Sequence, residues 1–181
     1  GDLEWEYQIA LGNYDPELPL TIDPTVTWDT FIGGATSDIT DSTAYAICID
    51  SSNDVYICGK TNSTDFVATT VSGTYGGGNH DAFVAKVTAT GSWVTYIGGA
   101  GYDYAQDIAI DSNDNVIVFG YTGSGSTLLN TLGITPVDDK NGSSTSLTSY
   151  DCFVVRFNAS GTPQVCTYLG GTSGEYAESL A

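Results

Sequence analysis

The feature that most limits what this chain can fold into is that it repeats itself. WDTFIGG at 28–34 returns as WVTYIGG at 93–99 and as VCTYLGG at 165–171. Between these marks the motif order is kept: AYAICIDSSNDVYICGKT (44–61) matches AQDIAIDSNDNVIVFGYT (105–122), and HDAFVAKVTATG (80–91) matches YDCFVVRFNASG (150–161). Self-similarity at a period of roughly 70 residues means one supersecondary unit copied along the chain, each copy covering the open face of the next. Two complete units, 27–92 and 93–164, are followed by a partial third, 165–181, which ends in GGTSGEYAESLA.

Each complete unit carries four short strand signals. An IAID-type strand (46–50, 107–111) and VYICG or VIVFG (55–59, 116–120) flank a Ser/Asn/Asp turn. DAFVAKV or DCFVVRF (81–87, 151–157) then leads through a TATG or NASG turn into the TYIGG strand. No stretch shows helical periodicity, so the fold class is all-β, with blade-like four-stranded units. The connections that differ between units, 62–79 and 123–149, read as surface loops on one rim. Ahead of the repeats, residues 1–26 read as a strand pair. Leu3, Trp5, Tyr7, Ile9 and Leu11 alternate strictly with polar or small residues and would suit a donated strand.

TYIGG, then IAID-S-x-(N/D)-N-V-Y-V-x-G-x-T and DAFVAK(L/V)-x-x-x-G, in fixed order resemble the SBBP repeat of secreted bacterial proteins, a repeat named for seven-bladed β-propellers. The resemblance runs from about Thr27 to Ala181, and the segment LPLTIDPTVTW is similar to those that lead into such repeats. It implies propeller blades and an extracellular or cell-surface setting. The first unit departs from the pattern in its acidic insert ATSDITDSTA. A closed propeller needs about 4–8 blades, so this chain is not a closed propeller by itself. Its open edges predict assembly by strand pairing, either as a homo-oligomer or polymer or with the remainder of a longer propeller.

Composition supports the extracellular setting and narrows the partners. Lys and Arg together number 4 against 22 Asp and Glu, for a net charge of −18, and the chain contains 22 Gly. That field repels phosphate, which argues against nucleic acid and anionic membranes. No apolar run reaches the about 18 residues of a membrane helix. Met is absent even at position 1, which reads as a processed or excised piece.

Several residue groups are candidates for chemistry. Asp111, Asn113 and Asn115, with Asp50 and Asp54 in the first unit, have the alternate oxygen spacing of a calcium loop. The same residues also suit a hairpin turn. Asp38, Asp41, Asp103 and Asp107 form a second acidic set. Catalysis has little support and no enzyme is expected: the single His80 reads as a solvent-facing turn residue, and its counterpart is Tyr150. Cys48 with Cys58 and Cys152 with Cys166 are each symmetric about a predicted turn, which suggests two hairpin disulfides, with four buried thiols as the other reading. Asn62, Asn141 and Asn158 begin glycosylation triplets. Phe31, Tyr96 and Tyr168 share one slot and are expected in the blade core. Trp28 and Trp93 share another, from which a ring could stack on a glycan. A module binding carbohydrate or calcium is therefore the alternative to structural assembly.

Overall fold

The computed structural model describes residues 28–34, 42–66, 68, 70–125, 128–137 and 150–180. Its strands are β1 (Thr43–Ile49), β2 (Val55–Thr61), β3 (Thr70–Ser72), β4 (Asp81–Thr88), β5 (Gly91–Ile97), β6 (Asp103–Ile110), β7 (Val116–Thr122), β8 (Asp151–Phe157) and β9 (Pro163–Leu169). They form two sheets, in the orders β1-β2-β4-β5-β3 and β6-β7-β8-β9, each of which draws one strand, β5 or β9, from the start of the following repeat. All pairings are antiparallel except that of the short β3 with β5. Strands β1-β2-β4-β5 and β6-β7-β8-β9 are thus two four-stranded meanders, and neither sheet closes on itself. Among the described residues there is no α-helix, and Leu129–Leu132 form a 3-10 turn. The candidate donor strand Leu3, Trp5, Tyr7, Ile9 and Leu11 lies outside the described residues, as do Asp38, Asp41 and Asn141.

The first strand of each unit begins earlier than the IAID motif, at Thr43 and Asp103. A bulge between Ala44 and Ala46 recurs between Ala105 and Asp107, and its extra residue reverses the inward-outward alternation. The residues before the bulge are therefore out of phase with the motif that follows.

The hairpin turns are built by their first side chain. Oδ1 of Asp50 accepts the NH groups of Ser52 and Asp54 at 2.9 Å, and Oδ1 of Asp111 accepts those of Asn113 and Asn115 at 2.8 and 2.9 Å. Asn158 does the same for Ser160 and Thr162. Asn53 (φ 63°) and Asp114 (φ 58°) occupy the left-handed position that each β1–β2-type turn requires. Asn and Asp tolerate that conformation better than other side-chain-bearing residues.

The main core lies between the sheets. The first sheet contributes Tyr56, Cys58, Ala82, Val84 and Ile97. Ala105, Ile108, Val116, Val118, Phe153, Val155, Phe157 and Tyr168 meet them from the second. Leu128 and Leu132 of the 123–149 connection are also buried here, so that part of the expected surface loop is core. A second cluster of Phe66, Phe83, Ala85, Val94 and Tyr96 covers the other side of the first sheet, with Ile32 packed against it.

Candidate functional site

The junction between the two sheets shows how one blade receives the next. β6 lies across the apolar face of the first sheet, and Cys58 points its Sγ at the Ala105 carbonyl, 3.6 Å away. Polar contacts fix the register at both ends. Asp114 accepts hydrogen bonds from the NH (3.0 Å) and hydroxyl (2.7 Å) of Ser51, and the Asp103 NH donates to the His80 carbonyl at 2.9 Å.

The same repeat positions are open at the outer ends of this two-blade stack. Tyr56, Cys58, Val84 and Ile97 of the receiving face correspond to Ile117, Phe119, Val154 and Leu169 of the second blade. The first four are fully buried, whereas Ile117, Phe119 and Val154 are only half-buried and Leu169 is 51% exposed. At the opposite end, Ile108 of β6 corresponds to Ile47 of β1. Ile108 is 5% exposed and Ile47 is 68% exposed. The third repeat has begun to fill the second face: the Glu175 NH donates to the Tyr150 carbonyl at 2.6 Å and the Leu180 NH to Asp107 Oδ2 at 2.7 Å. Ala177, counterpart of Ala105, is buried.

A band of aromatic rings crosses the junction where strands meet the variable connections. Tyr104 stacks on Tyr121 at 4.7 Å between centroids, and these two residues are direct cross-strand partners of β6 and β7. Tyr102 and His80 continue the band on one side. Tyr150 and Tyr176 continue it on the other, with Tyr121–Tyr150 at 5.3 Å and both Tyr121–Tyr176 and Tyr150–Tyr176 at 5.4 Å. The Lys60 ammonium lies 5.6 Å from the Tyr104 centroid. Burial first, then the neighbouring phenols, pushes the Tyr104 and Tyr121 hydroxyls above their usual range.

The buried acids beside this rim hold corners. Asp103 accepts from Thr122 Oγ1 (2.5 Å), Ser124 Oγ (2.7 Å) and the Gly99 NH (2.8 Å). Asp81 lies under the Gly98 corner, where any Cβ would strike its carboxylate, and accepts the Gly76 NH at 2.5 Å. Burial pushes the Asp81 carboxyl up to about 7; the Gly76 NH opposes that shift and Asp103 adds to it.

Several sequence expectations change here. The oxygens proposed for calcium are engaged in making turns. Asp50 Oδ2 accepts Tyr56 OH (3.0 Å) and Lys86 Nζ (3.1 Å), Lys86 also pairs with Asp54 at 2.9 Å, and Asn115 turns its amide nitrogen to Asp111. No group of three or more His, Cys, Asp or Glu among the described residues is placed to hold a metal. The expected disulfides are also replaced, since all four cysteines are free thiols. The ladder sets Cys48 opposite Tyr56 and Cys58 opposite Ala46; Cys152 faces Leu169 and Cys166 faces Val155. In the first hairpin the turn is centred on Ser52 and not on Asn53, and in the second the turn and an irregularity between Arg156 and Phe157 together displace the register that simple symmetry would give.

His80 is buried against Tyr102 and Tyr104, not turned to solvent. Phe31 is 97% exposed while Tyr96 and Tyr168 in the same slot are core, because residues 28–34 make one bridge, Gly34 to Phe66, and no strand. Trp93 packs edge-on to Tyr56 at 6.1 Å and over Gly161, so its face is covered. Asn158 uses its side-chain oxygen for the turn, and Asn62 is half-buried. Within the aromatic band only Tyr104 and Tyr176 share a repeat position. The band's only signal was the recurrence of Tyr at strand ends.

Residues 92–126, from β5 through β7, match the family model of the SBBP β-propeller repeat. This agrees with the sequence resemblance over that segment. No curated protein matches the chain.

Proposed function

We propose that this chain is a non-enzymatic interaction module of an extracellular or cell-surface protein. It works by stacking blade face on blade face, with the neighbouring blade supplied by a copy of itself or by the rest of a propeller. The observation that carries this reading is the contrast between matched positions: Ile108 is covered by the preceding blade at 5% exposure, whereas Ile47 is 68% exposed. The second blade's open face, with Val165 at 40% and Leu169 at 51% exposed, supports the same reading from the other end. Near absence of Lys and abundance of Gly and Tyr support an extracellular setting, as does the repeat type. Burial of His80 and commitment of Asp50, Asp103 and Asp111 to structural hydrogen bonds favour binding over catalysis.

Sedimentation velocity over rising concentration tests the idea, alone and mixed with a longer array of the same repeats. Association weakened by Ile47→Asp and by Leu169→Asp is expected. A chain that stays monomeric alone and forms no complex with the array would overturn it.

A further inference from the structure

We propose that Tyr176 is an oxidative cross-linking site, forming a dityrosine bond with one of the two rings it touches, Tyr150 or Tyr121, and so joining the third repeat covalently to the second blade. Both rings lie 5.4 Å from that of Tyr176, tilted at 49° and 67°. The Glu175 NH to Tyr150 carbonyl bond holds the two backbones side by side, so the encounter is intramolecular and already assembled. Tyr176 is 62% exposed and lies outside any strand, so its ring has the freedom that biaryl formation needs. The stacked Tyr104–Tyr121 pair is locked on paired strands and has less.

Few sulfur groups compete for an oxidant. Met, which oxidises readily, is absent, and three of the four thiols are buried. The oxidant class is hydrogen peroxide acting through a haem peroxidase. Each phenol gives up one electron and its hydroxyl proton to become a phenoxyl radical. The two radicals join through ring carbons ortho to oxygen, and the hydrogen on each joined carbon shifts to oxygen to restore both phenols. Two hydrogens leave in total and one peroxide is reduced to two waters. This site is independent of which blade covers the outer faces.

The test treats the intact chain with hydrogen peroxide and a haem peroxidase, then digests it with trypsin. Cleavage after Lys86, Lys140 and Arg156 places Tyr121, Tyr150 and Tyr176 on three different peptides, 87–140, 141–156 and 157–181. The expected product is 157–181 joined to 141–156 or 87–140, lighter by two hydrogens, with dityrosine fluorescence and a yield unchanged by dilution. Tyr176→Phe, a change at an exposed ring, should remove it. The proposal is overturned by an undiminished yield in Tyr176→Phe, by links that vanish on dilution, or by no link where free tyrosine dimerises.

Discussion

Ile108 and Ile47 occupy the same position in successive repeats, and the second blade's Ile108 is buried against the first blade while Ile47 faces solvent at 68% exposure. The difference lies in the neighbour, not in the residue. Ile108→Ala should therefore cost about 2–4 kcal/mol through lost burial and a cavity. Ile47→Ala should stay within about 0.5 kcal/mol, as for other exposed positions. Urea unfolding of the two variants, at a concentration where the chain is monomeric, measures this directly. Equal losses would mean that the blade junction is not where Ile108 is held.

The Asp50 cluster predicts a stability window in pH. Burial works against the Asp50 charge, but the Asp54 NH, the Lys86 ammonium, the Ser52 NH and the Tyr56 hydroxyl outweigh it and hold the carboxyl below its usual range. Its contribution is present above the ordinary Asp value and is lost as pH falls through the folded one. Burial likewise disfavours the Lys86 charge, yet Tyr56, Asp54 and Asp50 raise its pKa. That contribution is full below the ordinary Lys value and is lost as pH rises through the raised one. Asp50→Asn should lower the unfolding free energy most between these limits, by on the order of 2 kcal/mol for a partly desolvated charged network, and least in strong acid, as melting curves across pH would show.

The repeat was legible because its marks are backbone requirements. Asp50 and Asp111 cap the same turn, Gly59 and Gly120 sit under the bulge where a Cβ would strike the opposite carbonyl, and Phe83 and Phe153 fill the same core slot. What could not be read depends on contacts between units. Tyr104, Tyr121 and Tyr150 correspond to Thr43, Lys60 and His80 in the first unit; only Tyr104 recurs, as Tyr176 in the third, and only the folded rim brings these rings together. Cysteine pairing was missed for a local reason: the turn pairs Ile49 with Val55, which centres the hairpin on Ser52 and not on Asn53, and so sets Cys58 opposite Ala46.

Asp81 reverses the usual acid sensitivity. Its carboxyl, pushed up to about 7 by burial and by Asp103 against the Gly76 NH, binds a proton more tightly in the folded chain than in the unfolded one. Stability from this group is greatest in acid and declines as pH rises from the ordinary Asp value of about 3.9 towards 7. Asp81→Asn keeps the shape and removes the charge. Its melting temperature should exceed that of the parent above pH 7, with the gap closing in acid. A gap that widens in acid would contradict the buried, protonated state.

The cysteines give the last prediction. Burial first, then Asp107 and Asp50, pushes the Cys48 thiol up to about 11. Burial and Asp107 take Cys58 up to about 12, the latter partly offset by a backbone hydrogen bond from Ala46. The thiolate is the reactive form, so these groups should be nearly inert near pH 8 while the chain is folded. Iodoacetamide should modify all four cysteines only after denaturation, with no prior reduction, and added reductant should leave the melting temperature unchanged. A native mass lower by the four hydrogens of two bridges, together with a fall in melting temperature on reduction, would restore the hairpin disulfides that sequence symmetry suggested.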